Sequence, residues 1–229
     1  MLNAILENKF NLVKGLKEDS LTSSVFDYLF MLPDNIIWHI MKNSCVDNKN
    51  LPENVGEFID CSFWPKWDTK SLKLVTNSRF IEPDLFVEFE NYFVIIESKR
   101  YDKDQQDVNQ WKNQIKTFSH IYGEENKELI YFAVGGIWSS KTENSGIEDK
   151  LIHKIKWQNL LDIIIKTKNR LTKNIDILPV NRSYVRILET ILKGLEIHGY
   201  NNFLWLNSLK RNQIEMKEGN KIKEWITKI

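Results

Sequence analysis

Apolar positions recur along this chain with two different periods, and the switches between them mark the elements. Leu12, Leu16 and the stretch VFDYLFML at 25–32 fall near helical spacing, so the first forty residues read as helix, with a turn at Pro33, Asp34 and Asn35. A polar loop over 42–56 precedes EFIDCSFW at 57–64, whose Phe, Ile and Trp suit a first strand. After a polar connection around 68–78, residues 81–89 and 92–98 are apolar at nearly every position, as strands buried on two faces are. Glu90–Asn91 is the tight turn between them. From Gln105 to Tyr122 the helical period returns, and LIYFAVGGI at 129–137 reads as another buried strand that ends at Gly135–Gly136. Beyond a polar loop at 139–149, HKIKW (153–157) forms a short strand feeding a helix at 158–168. Pro179 closes that region. A last helix over 181–198 carries Val185, Leu188, Ile191, Leu192 and Leu195 on one side, and the Asn- and Lys-rich tail from 200 onward gives no clear pattern.

The order is helix, three strands, helix, strand, then helices, which predicts an α/β fold with a mixed central sheet flanked by helices. Residues 1–178 make the core, and 179–229 a helical C-terminal extension packed on the same domain. Composition agrees: of 229 residues 42% are hydrophobic, with 8 Trp and 12 Phe, enough to bury one sizeable core. The longest apolar runs, FVII at 93–96 and LLDIII at 160–165, are too short to span a bilayer. The first ten residues lack the pattern of a secretory signal, and Cys45 and Cys61 offer neither a disulfide framework nor zinc spacing. A reduced, cytoplasmic setting is expected. The net charge of +1 exerts no global pull on nucleic acid, but Lys150, Lys154, Lys156, Lys166, Lys168, Arg170 and Lys173 stand against the single acid Asp162. Such a run either tracks phosphates or is a solvated face.

The chemistry lies in the hairpin from Glu82 to Arg100. With Glu90–Asn91 as its turn, Phe89 faces Tyr92, Val87 faces Val94, and Asp84 faces Glu97. Opposed residues of an antiparallel pair share a face at roughly 4.5–5.5 Å between Cβ atoms, so two carboxylates sit side by side. Lys99, two residues beyond Glu97, points to that same face. Adjacent carboxylates on otherwise apolar strands repel each other and resist desolvation, and a divalent cation is the natural compensator. Oxygen ligands suit Mg²⁺ or Mn²⁺. Lys99 would then orient or deprotonate an attacking water, or offset charge on a transition state.

The segment EPDLFVEFENYFVIIESKR resembles the core of the PD-(D/E)XK, or restriction-endonuclease-like, superfamily: Pro83-Asp84 matches its "PD" and Glu97-Ser98-Lys99 its "ExK". The likeness extends over roughly residues 10–165, with the element order of that family's αβββαβ core. It implies a Mg²⁺-dependent endonuclease hydrolysing DNA phosphodiesters, in a restriction or anti-phage setting. By that resemblance Asp84 and Glu97 ligate metal through their carboxylates and Ser98 through its backbone carbonyl, with Lys99 the catalytic lysine. A further acid from the first helix is expected, Glu18 or Asp19, with Glu18 favoured because Asp19 also suits a helix cap. Gln106, Gln110 and Gln114 lie four apart on one helix face, and the resemblance makes Gln110 and Gln114 candidates for contacting the site or the substrate backbone. The tyrosine that the family often places after this glutamine is absent; Phe118 stands there.

Lys154 and Lys156 are candidates for phosphate contact, independent of base sequence. Trp111 and Trp138 could stack on bases but are expected in the core, and His39, His120, His153 and His198 show no metal-ligand spacing. Gly135–Gly136 lacks the Lys-Ser/Thr of a phosphate loop. Expected partners are therefore a nucleic acid, DNA above all, no membrane, and a second copy or a larger defence complex. The alternative is a catalytically silent nuclease-fold module that binds nucleic acid or a protein.

Overall fold

A computed structural model describes residues 17–70, 72, 79–139, 141–147 and 149–201; Leu12, Leu16 and the tail after 201 lie outside these. Among the described residues the helices are α1 (Glu18–Leu29), α2 (Asp34–Ser44), α3 (Val108–Tyr122), α4 (Trp157–Lys173) and α5 (Asn181–Ile197). The strands are β1 (Phe58–Phe63), β2 (Trp67–Asp68), β3 (Phe80–Ile81), β4 (Leu85–Phe89), β5 (Tyr92–Ser98), β6 (Glu128–Val134), β7 (Glu143–Asn144) and β8 (Leu151–Ile155). The fold is α/β, as the residue pattern predicts. A six-stranded mixed sheet has the order β1-β4-β5-β6-β8-β7, with β5, β6 and β8 mutually parallel and the remaining pairs antiparallel.

Alternation along the central strands sends side chains to two separate cores. Leu85, Val87, Val94, Ile96, Phe132 and Val134 meet α1, α2, α4 and α5 on one face. Phe86, Phe93, Ile95, Tyr131 and Ala133 meet α3 on the other, through Trp111, Ile115 and Phe118. Burial on both faces explains why these strands are apolar without alternation. The apolar stripe of α5, with Leu188, Ile191 and Leu195, joins the first core. Within the extension predicted from 179, α5 therefore packs into the same core; residues 202–229 lie outside the described residues.

The hairpin register is the predicted one: Val87 pairs with Val94 and Leu85 with Ile96, and continuing the ladder places Asp84 opposite Glu97. Strand β4 is shorter than the predicted 81–89, because Pro83 offers no N–H to a ladder and Phe80–Ile81 instead pairs with Trp67–Asp68 in a separate two-stranded sheet. Two helices begin and end differently from expectation. The turn falls at Phe30–Pro33, with Asp34 already helical, and α4 runs on to Lys173 rather than stopping at 168. Strand β1 lies at one edge and carries a register shift between Phe58 and Asp60. Strand β7, at the other edge, has only two residues.

The end of β6 turns through Gly135 and Gly136, both at positive φ (65° and 64°). This conformation costs other residues dearly, and space forbids them too. A Cβ on Gly135 would lie 2.3 Å from the Lys99 carbonyl oxygen and 2.5 Å from Trp157 Nε1, the two atoms that form a 2.7 Å hydrogen bond. Gly199 has a positive φ as well (91°) but nothing within 4 Å of its Cβ direction. Gly135→Ala is therefore expected to cost about 1–3 kcal/mol and Gly199→Ala less. Thermal melts of the two variants check this, and equal losses would refute the steric argument.

Candidate active site

Four charged side chains from three elements meet where β5 ends. Asp84 arrives immediately before β4, Glu97 and Lys99 close β5, and Glu18 opens α1. Each is fixed by its own set of donors. Asp84 accepts from the Ser98 N–H at 2.7 Å and from the Ser98 hydroxyl at 3.0 Å, both on Oδ2, while Trp64 Nε1 donates to Oδ1 at 3.1 Å. The Trp64 N–H also donates to the Asp84 carbonyl at 3.0 Å. Trp64 holds this double grip at φ 48°, a left-handed conformation that costs a bulky residue about 1–3 kcal/mol.

Glu97 is 1% exposed, and both its oxygens are occupied. Oε1 accepts from Lys99 Nζ at 2.5 Å and from Gln110 Nε2 at 2.7 Å, and Oε2 accepts from Gln114 Nε2 at 2.7 Å. Gln110 and Gln114 thus contact the site as the helical spacing predicts, through the carboxylate of Glu97. Gln106 reaches the backbone instead, donating to the Glu97 and Gly135 carbonyls at 3.2 and 3.1 Å while its own oxygen takes the Trp111 N–H. Behind Gln114, the Tyr131 hydroxyl donates to the amide oxygen, which fixes which end of the amide faces Glu97. A phenol is therefore present, contributed by β6 and not by the helix; Phe118 packs against Phe93 in the core.

Lys99 Nζ bridges to Glu18 Oε1 at 3.3 Å, and Glu18 Oε2 accepts the Arg100 N–H at 3.3 Å. The acid expected from the first helix is thus in place. Asp19 is no cap, because Lys17 holds that position and Asp19 sits in the first helical turn. Oxygens of Glu18, Asp19 and Asp84 lie within 4.8 Å of one another, a set of carboxylates able to hold a cation at the positive end of α1. Glu97, expected to be the closest carboxylate partner of Asp84, is not in that convergent set, since Lys99 and two amides hold it. The Ser98 side chain is turned to Asp84 and to the Thr22 hydroxyl.

Burial pushes the Glu97 carboxyl up to about 8, with the charge of Asp84 adding to it and Lys99 opposing. Burial likewise raises Asp84 and Glu18, in both cases against the pull of Lys99. For Lys99 burial acts downward, but Glu97, Asp84 and Glu18 together outweigh it and hold the ammonium above its ordinary value.

The remaining candidates lie apart from this cluster. Lys154 shares a cross-sheet row with Glu97 through Ala133, two strands and about 10 Å away. It is buried, with its ammonium on Glu143 at 2.6 Å. Lys156 is the N-cap residue of α4 and faces Asp102, and the other basic residues from 166 to 173 lie along α4. The run from 150 to 173 is therefore not one patch. Trp111 is buried as expected; Trp138 is not in the core but 75% exposed, because the chain leaves β6 at Gly135–Gly136 and turns outward. Sequence reasoning missed Trp64, Tyr131 and the fit of Gly135–Gly136 against Lys99. The glycine pair was the one visible signal, as a strand ending that no phosphate loop explains.

A protein of Pasteurella multocida strain Pm70, uncharacterized protein PM0110, is 31% identical over 219 residues, an alignment covering 86% of this chain and 76% of that protein. No family model matches the chain, and no solved structure matches it significantly. None of the helices among the described residues is long and apolar enough to cross a membrane.

The raised Glu97 carboxyl has a stability consequence. A carboxyl whose folded value is about 8 against an ordinary 4.5 binds its proton more tightly in the native state. Its stabilising contribution is full below about pH 4.5 and is lost as pH rises through about 8. In EDTA the melting temperature should therefore fall across that window. Mg²⁺ or Mn²⁺ should raise it more at about pH 8.5 than at about pH 6, where protons compete. Differential scanning fluorimetry checks this, and a metal response independent of pH would count against carboxylate ligation.

Proposed function

The chain belongs to one family with the Pasteurella multocida protein PM0110, and for the site at the end of β5 we propose metal-dependent hydrolysis of nucleic-acid phosphodiesters, with DNA as the substrate, by a PD-(D/E)XK nuclease. The observation that carries this reading is the gathering of Asp84, Glu97, Lys99 and Glu18, all wholly or largely withdrawn from solvent, at the ends of two adjacent central strands. With α2 and the short β2–β3 pair set aside, the succession α1, β1, β4, β5, α3, β6 supports the restriction-endonuclease-like core that the Pro83-Asp84 and Glu97-Ser98-Lys99 resemblance implies.

The donor set fits a hard divalent cation. Among the described residues only carboxylates converge there, without His or Cys, and oxygen ligands of this kind suit Mg²⁺ or Mn²⁺. Asp84, Glu18 and Asp19 would hold it, with Glu97 and the Ser98 carbonyl added as the resemblance implies. Such an ion supplies Lewis acidity toward a phosphodiester oxygen. The protein's own groups do the rest. Trp64 and Ser98 fix the direction of the Asp84 carboxylate, and Gln110 and Gln114 fix that of Glu97. Lys99, kept protonated by three carboxylates, acts as a fixed positive charge toward an attacked phosphate and not as a base.

A second reading, a silent nuclease-fold module, is favoured by one observation. Lys99 already pairs with both Glu97 and Glu18, so part of the cluster's negative charge is balanced from within the chain. A cleavage assay separates the two. With Mg²⁺ or Mn²⁺ the full chain should nick or linearise supercoiled plasmid and EDTA should stop it. Lys99→Ala, checked for folding by circular dichroism, should cut about 10²–10³-fold more slowly. No conversion with either metal, together with no metal-induced shift in melting temperature, would leave the silent module.

A further inference from the structure

Two aromatic rings beside Lys99 face solvent and serve no core. Trp138 is 75% exposed and Tyr101 46%, although each follows closely on a buried strand end. Their loops are joined: the Gly136 N–H donates to the Tyr101 carbonyl, and the Gln105 and Gln106 N–H groups donate to the Gly136 carbonyl at 2.9 and 3.1 Å. A Cβ on Gly136 would lie 2.6 Å from Lys99 Cβ, so this joined pair of loops rests on the Lys99 side chain itself. Trp138 is two residues beyond Gly136 and Tyr101 two beyond Lys99, which roots each ring within about 7 Å of those backbones.

The charges around the rings nearly cancel. The Arg100 guanidinium stands 5.1 Å from the Tyr101 ring centroid and Lys103 Nζ 5.9 Å from it. Of the acids in the same loop, Asp102 is engaged by the first N–H groups of α4 and Asp107 caps α3. Asp104, in the same loop, is exposed. A rim of this kind has few cations with which to grip phosphates; Trp138 offers an exposed ring, and Tyr101 one that it shares with Arg100 and Lys103.

Taken with the phosphodiesterase reading, on which this inference rests, the geometry points to an unpaired nucleic-acid strand as the form of the substrate. Its bases stack on Trp138 and Tyr101 while its backbone passes Lys99. Bases inside a duplex already stack on their neighbours and have no free face for a protein ring, whereas a single strand offers every base to an aromatic platform. Few phosphate contacts also mean a shallow dependence on salt.

The test is fluorescence anisotropy of a labelled 15-nucleotide oligothymidylate, against the same strand annealed to its complement, with the full chain in EDTA so that nothing is cut. Binding to the single strand should exceed binding to the duplex by roughly ten-fold or more. Trp138→Ala and Tyr101→Ala should each weaken it by roughly ten-fold, with Trp138→Phe largely restoring it. Raising salt from about 50 to 200 mM should cost less than about ten-fold. Equal affinity for duplex, an unchanged Trp138→Ala, a steep salt dependence or no binding at all would each overturn the proposal. The two readings fail separately. Metal-dependent plasmid cutting with no strand preference would leave the nuclease and remove the platform. Trp138-dependent strand binding without cutting in Mg²⁺ or Mn²⁺ would leave the platform and remove the catalysis.

Discussion

Everything at the end of β5 depends on how the protein keeps carboxylates out of water. Glu97 and Asp84 are almost wholly buried, and an unpaired buried carboxylate would be far too costly for a domain of ordinary stability. The protein meets that demand locally, with an ammonium from the same strand, two amides from the next helix, a serine N–H and hydroxyl, and an indole. Lys99 is the counter-charge common to three of the acids. A cation arriving among Glu18, Asp19 and Asp84 would compete with Lys99 for Glu18, so ion binding and the position of the lysine are linked.

The neighbouring elements are arranged around that constraint. Helix α3 delivers two glutamines one turn apart, Gln110 and Gln114, which hold the two oxygens of Glu97, while Gln106, just before its N-cap Asp107, ties the strand ends together. The segment after Lys99 is pinned at both sides, by Trp157 on the Lys99 carbonyl and by Asp102 on the first turn of α4. The Tyr200 hydroxyl adds a third tie at the Arg100 carbonyl. Rigid support of this sort keeps charged groups aimed when solvent is not there to orient them.

Much of this was legible in the residue pattern because it is local or follows fixed periods. The period-2 geometry of the hairpin fixed the register that sets Asp84 opposite Glu97, and the four-residue spacing of Gln110 and Gln114 put them on one face, whereas Gln106, expected on the same helix, precedes its N-cap Asp107. What was not legible comes from distant parts of the chain. Nothing in the sequence joins Trp64 to Asp84, Tyr131 to Gln114 or Tyr101 to Gly136, since only the sheet order brings them together. Lys154 shows the same limit from the other side. Its distance from Glu97 follows from the strand order, and its partner Glu143 from a two-residue strand too short to read as a pattern. Trp138 was misjudged because an indole is ordinarily core, and only the outward turn after Gly136 frees it.

The two edges of the large sheet differ from its centre in a way that bears on assembly. One edge is a strand of two polar residues, Glu143 and Asn144; the other, β1, is broken in its pairing by the shift between Phe58 and Asp60 and faces outward with Asp60 and Glu57 nearby. Interrupted or very short borders with charge on them are poor templates for another chain's backbone. Two copies of this protein would therefore not extend one sheet into the next. Among the described residues, helix surfaces and loops remain as the better ground for a twofold contact, so the position of the carboxylate end of the sheet in such a pair would be set by whichever helices do the joining.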